Sequence, residues 1–214
     1  HISFSSNNKD NEVFSTIDVP YGKQVIWPPH CIFDTEGANF HKDLEAKRAN
    51  AIIRKGFRKN IDSYSGFFEN DKVTPTGLEG LLKSLKIERV FICGLALDFC
   101  VNYTAIDAKN LGFETIVIKG ATLPVNIGNS VKNTLQGFKD MGATLSGMGG
   151  LLKSFVGGLF NVGKAILTIP FSLFNGLIGM ANSAAGAGTA AGGAAAAGVV
   201  AAGIAARGVA AAGT

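Results

Sequence analysis

The chain has 214 residues, with 20 Lys and Arg against 16 Asp and Glu and a net charge of +4. No block of Lys or Arg follows one face, which argues against a nucleic-acid-binding protein, and the length allows one α/β domain or two small domains. Three widely spaced cysteines do not make a disulfide framework, so a reducing, cytoplasmic location fits the chain best.

Periodic signals are weak over the first 50 residues. Residues 51–55 then predict a short strand that ends at Gly56. Thr76 and Glu79 have the spacing of a capping box, which predicts the start of a helix. The inward face of that helix is formed by leucines at helical spacing: Leu78, Leu81, Leu82 and Leu85.

Strands and helices alternate in the next stretch, up to residue 145. Val90–Cys93 and Glu114–Ile118 are apolar runs typical of buried strands, and Asp98 is placed to cap the helix between them. The predicted inward faces and glycine stops of the helices are Val101, Ala105, Ile106 and Ala108 with Gly112, and Val131, Leu135 and Phe138 with Gly142. The alternation predicts an α/β fold with a parallel sheet and crossover helices.

Composition changes at residue 146, and we divide the chain there. A globular domain spans 1–145, an apolar segment without Asp or Glu spans 146–180, and an Ala/Gly-rich tail spans 181–214. Lysines, a proline and glycines interrupt 151–180, whereas a membrane-spanning helix needs about 20 mostly apolar residues. Contact of 151–180 with a membrane surface, helical packing of the tail through its small residues, and an extension unrelated to the globular part all stay open.

A candidate nucleophile lies where a predicted strand ends and a helix begins. Cys100 follows the turn Gly94-Leu95-Ala96, in the first turn of the helix, and Lys55 closes another predicted strand. Ligands gather at the carboxyl ends of parallel strands, and a helix N-terminus and a lysine both favour thiolate over thiol. Backbone N–H groups in the turn could receive an oxyanion, which suits acyl transfer. The alternative is an inert buried cysteine, which is our interpretation of Cys93.

The segment "WPPHC" holds a candidate metal ligand. Two prolines restrict His30, and such rigidity suits a ligand, although a loop histidine without a partner is the alternative. His1 is either a second ligand or an exposed terminal residue. Trp27 and Tyr64 either wall an aromatic pocket or belong to the core.

These stretches, taken together and in this order, resemble the nicotinamidases (pyrazinamidases) of the isochorismatase-like cysteine hydrolase superfamily. The matching segments are "HISF", "WPPHC" with "GANFHKDL", "RKG" with "DSYSGFF", and "GLALDFCVNYTAIDAKNLGF". The resemblance implies a three-layer, Rossmann-like fold with a six-stranded parallel sheet flanked by helices. It also implies hydrolysis of nicotinamide to nicotinate and ammonia in NAD salvage.

The resemblance also implies roles for individual residues. Cys100 would attack the carboxamide beside Lys55, and the N–H groups of Ala96 and Cys100 would form an oxyanion hole next to a cis Leu95–Ala96 peptide. His30 and His1 would hold a zinc, iron or manganese ion that binds the pyridine nitrogen. The pyridine pocket would be lined by three residues: Trp27, Tyr64 and Leu95.

The family's catalytic aspartate and two further metal ligands have no counterpart in this sequence, since their strands would precede His1. We therefore expect an N-terminally incomplete sheet and impaired activity. Two other functions stay open: a membrane-associated or interaction protein governed by the apolar tail, and a metal-free hydrolase of another substrate. A homo-oligomer also stays open.

Overall fold

The computed structural model describes residues 1–146. The sequence-based expectations for the apolar segment and the Ala/Gly-rich tail lie outside these residues from position 147 onward. Among the residues described, no helix combines the length and the apolar character needed to cross a membrane.

A parallel sheet lies at the centre of the described part. Its three strands are β3 (Arg89–Leu95), β4 (Glu114–Leu123) and β5 (Thr144–Ser146), in the order β3-β4-β5. The register pairs Arg89 with Glu114 and Leu95 with Leu123, so both ends of β3 have partners on β4. The predicted α/β class is confirmed, and of the six strands implied by the resemblance three are present in residues 1–146.

Within residues 1–146, three α-helices accompany the sheet: α1 (Leu78–Ser84), α2 (Asn102–Asn110) and α3 (Ser130–Asp140). Helices α2 and α3 are the crossovers between the parallel strands, as predicted. Each is followed by glycine with positive φ, Gly112 at 89° and Gly142 at 62°, a conformation that side-chain-bearing residues rarely adopt. The core between sheet and helices is apolar and includes Phe67, Leu82, Ile92, Val101, Val117 and Phe138.

A second, antiparallel sheet precedes the parallel one and was not predicted. It consists of β1 (Thr16–Val19) and β2 (Gly22–Val25), which form a tight hairpin. The chain returns from β2 into the "WPPHC" segment, where an isolated bridge joins Trp27 to Phe4. The hairpin therefore positions the N-terminal residues beside "WPPHC".

The predicted strand at residues 51–55 is wrong. The segment has no regular secondary structure, and Ile52 is 55% exposed and Ile53 is 38% exposed. A strand needs a neighbour to satisfy its N–H and C=O groups, and no strand in residues 1–146 pairs with this segment.

Two predicted helix caps are also wrong. Gly77 lies at the start of α1, Thr76 Oγ1 donates to Gly66 O at 2.6 Å, and Glu79 pairs with Lys83, so no capping box forms. Asp98 does not cap α2 because a π-helical turn, Leu97–Val101, precedes that helix. Thr76 Oγ1 does accept a hydrogen bond from Leu78 N at 3.2 Å, whereas the Asp98 carboxylate has tertiary partners instead.

Candidate active site

The structure brings Lys55 and Cys100 together. Lys55 Nζ lies 3.5 Å from Cys100 Sγ and donates a hydrogen bond of 2.7 Å to Ser63 O. Both side chains belong to half-buried residues, so the pair is reachable from solvent. A positive charge beside a sulfur favours its nucleophilic thiolate form, which is the arrangement that acyl transfer by cysteine requires.

The turn that carries Cys100 begins at the end of β3. The Leu95–Ala96 peptide is cis, as the resemblance implies. Ala96 O accepts hydrogen bonds from Phe99 N at 3.1 Å and Val101 N at 3.0 Å, which close the π-helical turn around Cys100. The role of the Ala96 and Cys100 N–H groups as oxyanion donors stays a prediction, as does the contact of Leu95 with substrate.

Cys100 is also held on the side of the turn that leads into α2. Thr104 Oγ1 donates to Cys100 O at 2.6 Å and accepts from Gly66 N at 2.9 Å. Gly66 belongs to the segment "DSYSGFF", which also contains the Lys55 acceptor Ser63. One segment therefore positions both the sulfur and the ammonium.

Three aromatic rings form a wall next to the nucleophile. The Trp27 and Phe99 ring centroids are 4.8 Å apart, and Tyr64 lies 5.5 Å from Phe99 and 6.1 Å from Trp27, all in edge-to-face geometry. Trp27 and Tyr64 were anticipated from the sequence, whereas Phe99 was not, although it immediately precedes Cys100. Such a wall suits a flat aromatic ligand.

The aromatic wall is fixed by a buried polar network. Tyr64 OH accepts from Trp27 Nε1 at 2.9 Å and from Gln24 Nε2 at 2.8 Å, and burial raises the pKa of the Tyr64 phenol well above its usual range. Gln24 Nε2 also donates to Asp62 Oδ2, while Asp62 Oδ1 accepts from Ser63 N. Sequence reasoning missed Gln24 and Asp62, which connect the wall to the segment that holds Lys55.

The two candidate metal ligands, His1 and His30, both pack against the ring of Phe4. The His1 ring centroid is 5.2 Å from that of Phe4, and the His30 centroid is 5.5 Å away. His30 Nδ1 contacts Pro28 O at 2.7 Å, and donation by Nδ1 leaves Nε2 with the lone pair that a metal ligand needs. His1 Nδ1 contacts Ser3 Oγ and His1 Nε2 contacts Ile61 O, so protein groups engage both of its nitrogens.

The described residues do not form a complete metal centre. A protein zinc site typically uses three or four protein ligands, and no group of three His, Cys, Asp or Glu in residues 1–146 could hold an ion. Of the two predicted ligands, His30 offers Nε2, whereas both ring nitrogens of His1 contact protein groups. The predicted ligand roles of His30 and His1 stay predictions.

A second cysteine lies within electrostatic range of the Lys55–Cys100 pair. Burial raises the pKa of Cys31, Lys55 partly offsets that rise, and Cys100 adds to it. Cys31 directly follows His30 in "WPPHC", but sequence reasoning assigned it no role. Cys93, by contrast, is buried in β3, and burial raises its pKa to about 11, which agrees with inert packing.

The sequence matches a known domain family and its curated members. The Isochorismatase domain family matches residues 6–148. A nicotinamidase from Acinetobacter baylyi is 48% identical over 136 residues, which are 64% of this chain and 64% of that protein. The chain thus spans just under two thirds of this curated relative.

Solved structures give the same result. A nicotinamidase/pyrazinamidase from Acinetobacter baumanii superposes with a TM-score of 0.66 at 46% identity, covering 68% of this chain and 70% of that one. The yeast nicotinamidase bound to the inhibitor nicotinaldehyde gives a TM-score of 0.63 at 28% identity, covering 69% and 74%. The pyrazinamidase of Pyrococcus horikoshii, solved in complex with zinc, gives 0.53 at 29% identity, covering 69% of each chain.

Proposed function

Because this chain belongs to the Isochorismatase domain family, we propose that it is a nicotinamidase-like cysteine amidohydrolase that converts nicotinamide and water to nicotinate and ammonia. This activity would place the protein in NAD salvage. The substrate assignment rests on the relatives, whose names are those of nicotinamidases and pyrazinamidases. We propose a cytoplasmic location on the cysteine usage alone.

The observation that carries the proposal is the distance of 3.5 Å between Lys55 Nζ and Cys100 Sγ. The ammonium is held by Ser63 O and the sulfur-bearing turn by Thr104, so neither partner depends on substrate to reach its place. The rings of Trp27, Tyr64 and Phe99 offer a pyridine ring an apolar aromatic wall beside the turn that carries Cys100.

The reaction follows the order expected for a cysteine nucleophile. The Cys100 thiolate adds to the carboxamide carbon, a C–S bond forms, and the carbonyl oxygen takes the negative charge beside the N–H groups of Ala96 and Cys100. The C–N bond then breaks and the NH₂ group leaves as ammonia with the proton that the thiol gave up. Water adds to the thioester, the C–S bond breaks, and nicotinate and free Cys100 result.

No step of this scheme passes through a metal, because the described residues do not make a metal centre. A divalent ion (zinc, iron or manganese) stays a prediction, supported by the zinc in the Pyrococcus horikoshii pyrazinamidase and by the lone pair of His30 Nε2. Metal content measured by mass spectrometry in the wild type and in His30→Ala tests it. Equal metal content in the two proteins would remove His30 from consideration.

We further infer that turnover by this chain is slow. Lys55 forms no salt bridge with a carboxylate among residues 1–146, so no acidic group is paired with the ammonium there. A thiol without a nearby base loses its proton slowly in the reacting complex. A rate equal to that of the Acinetobacter baylyi nicotinamidase, assayed beside it, would contradict this inference.

The experiment that tests the function measures ammonia released from nicotinamide by the full chain over long incubations. Wild type and Cys93→Ala should release ammonia above background, and Cys100→Ala should not. Cys93→Ala is the matched control because it removes a thiol from the adjoining strand and leaves the turn intact. Release that is undiminished in Cys100→Ala would overturn the assignment of the nucleophile.

A further inference from the structure

Asp98 is a buried carboxylate two residues before the candidate nucleophile. It lies in the π-helical turn Leu97–Val101 and is only 4% exposed. A carboxylate at this depth requires hydrogen-bond donors, since an unpaired buried charge is strongly unfavourable. The groups that donate hydrogen bonds to Asp98 therefore indicate its structural role.

Those donors come from a distant part of the chain. Asp98 Oδ1 accepts from Val125 N at 2.9 Å, and Oδ2 accepts from Asn126 N at 2.8 Å and from Ser130 Oγ at 2.5 Å. Val125 and Asn126 lie in the connection between β4 and α3, and Ser130 is the first residue of α3. The carboxylate thus joins the turn that carries Cys100 to the start of the next crossover helix.

The receiving loop is itself well defined. Asn126 has a φ of 63°, and Ile127 N donates to Ser130 Oγ at 3.0 Å, so the serine hydroxyl links the loop to the carboxylate. Hydrogen bonds to an ionised acceptor are shorter and stronger than neutral ones. The result is a clamp, which we define as Asp98 with Val125, Asn126 and Ser130.

The clamp and Thr104 hold the turn from two sides. Thr104 fixes the carbonyl of Cys100, and Asp98 fixes the residues that precede Phe99 and Cys100. Both Asp98 oxygens already accept from N–H groups, which disfavours Asp98 as the base that receives the thiol proton. Its partners are two backbone N–H groups and the Ser130 hydroxyl, and it forms no salt bridge within residues 1–146.

We propose that Asp98 is a positioning residue, whose clamp to the 125–130 loop sets the place of the Cys100 sulfur beside Lys55. The proposal deepens the proposed function and rests on it for its catalytic meaning. Loss of the clamp lets the turn move, and displacement of a nucleophile by about 1 Å lowers reaction rates by up to about two orders of magnitude. Substrate binding depends on the aromatic wall, so KM changes much less than kcat.

The test uses the full chain and four proteins: wild type, Asp98→Asn, Ser130→Ala and the control Asp107→Asn. Asp107 is a buried aspartate of α2 whose Oδ1 lies 3.8 Å from Lys72 Nζ, so it matches the loss of a buried carboxylate without touching the clamp. Iodoacetamide is the probe, and peptide mass spectrometry gives separate alkylation rates for Cys100, Cys31 and Cys93. Ammonia release from nicotinamide gives kcat and KM, and circular dichroism checks folding.

We expect Asp98→Asn to lower the alkylation rate of Cys100 about fivefold or more and kcat by a larger factor, with KM within about twofold. Ser130→Ala should show a smaller loss of the same kind, and Asp107→Asn should leave the Cys100 rate unchanged. A folded Asp98→Asn with a wild-type Cys100 rate would overturn the proposal. If Asp98→Asn does not fold, Ser130→Ala decides: a lowered Cys100 rate supports the clamp, and an unchanged rate overturns it.

The alkylation assay needs no substrate, so it separates failure of the clamp from failure of the proposed function. A lowered Cys100 alkylation rate together with no ammonia release in any protein would keep the clamp and reject nicotinamide hydrolysis. Ammonia release with equal alkylation rates in all folded proteins would reject the clamp alone.

Discussion

Lys55 Nζ lies 3.5 Å from Cys100 Sγ although 45 residues separate the two in the chain. The lysine comes from an irregular segment and the cysteine from a π-helical turn, so neither position is set by a regular element. Ser63 O and Thr104 Oγ1 hold the two groups instead. The pair is therefore a product of tertiary hydrogen bonds in the "DSYSGFF" segment and α2.

Removing the ammonium should make Cys100 less reactive. We expect Lys55→Met to lower the iodoacetamide alkylation rate of Cys100 at neutral pH about tenfold, because the sulfur loses the ammonium that lies 3.5 Å away. Lys55→Arg should retain part of the rate. Lys59→Met, which removes a charge from an exposed nearby residue, should have no effect. An unchanged alkylation rate in Lys55→Met would show that the Lys55 ammonium does not activate the Cys100 sulfur.

The hydroxyl of Tyr64 should matter for stability and for ligand binding. Tyr64→Phe leaves Trp27 Nε1 without its buried acceptor, which costs about 1–3 kcal/mol of unfolding free energy. Tyr103→Phe is the control, since Tyr103 faces Tyr64 at 5.2 Å through its ring and would keep that contact. Urea unfolding followed by tryptophan fluorescence measures both. Equal stability of the two variants would argue against the polar network behind the aromatic wall.

The ion pair between Arg58 and Glu69 should be a stability determinant. Glu69 is fully buried, and its Oε1 lies 2.7 Å from Arg58 Nη1. Arg58→Met leaves that buried carboxylate without its charged partner and should lower the free energy of unfolding by about 3 kcal/mol. Arg48→Met breaks the exposed pair with Glu45 and should cost less than about 1 kcal/mol. Thermal midpoints of the two variants, compared with wild type, decide between these outcomes, and a similar loss in both would contradict the burial argument.

Stability should fall at alkaline pH through Cys93. Burial raises the pKa of its thiol from 9.0 to about 11, so its stabilisation of the folded state is complete below pH 9 and is lost as pH rises towards 11. The loss amounts to about 3 kcal/mol over that window. Cys93→Ala should lack this component while it keeps every tyrosine, so the difference in pH dependence between the two proteins reports on Cys93. Parallel pH profiles for wild type and Cys93→Ala would refute the prediction.

Local sequence signals predicted the crossover part of the fold correctly. β3, β4, α2 and α3 follow from apolar runs, helical spacing and glycines that accept positive φ, and these signals act within about ten residues. The strand at 51–55 failed because its formation depends on a neighbouring strand rather than on its own residues. The hairpin β1–β2 was missed because it lies in a polar stretch with weak periodicity.

Part of the candidate active site could also be predicted from the sequence, but from other signals than those that predicted the fold. Lys55 was expected near Cys100 because strand ends meet, and the two side chains do meet although Lys55 lies in no strand. The segment matches pointed to Trp27, Tyr64 and His30, whose roles stay predictions. Asp98, Gln24 and Asp62 were misassigned or missed because their long-range partners lie 27 to 46 residues away in sequence. From sequence alone, a carboxylate two residues before a helical cysteine suggests a helix cap. Only the structure shows that Asp98 binds the 125–130 loop instead.

The most direct test of the central claim is to identify the atom that becomes acylated. The full chain is quenched in acid during reaction with nicotinamide, digested and mapped by mass spectrometry. We expect one nicotinoyl group on the peptide that contains Cys100, and none on that peptide in Cys100→Ala. A nicotinoyl group on Cys31 or Cys93, or ammonia release without any acyl-cysteine and undiminished in Cys100→Ala, would contradict it.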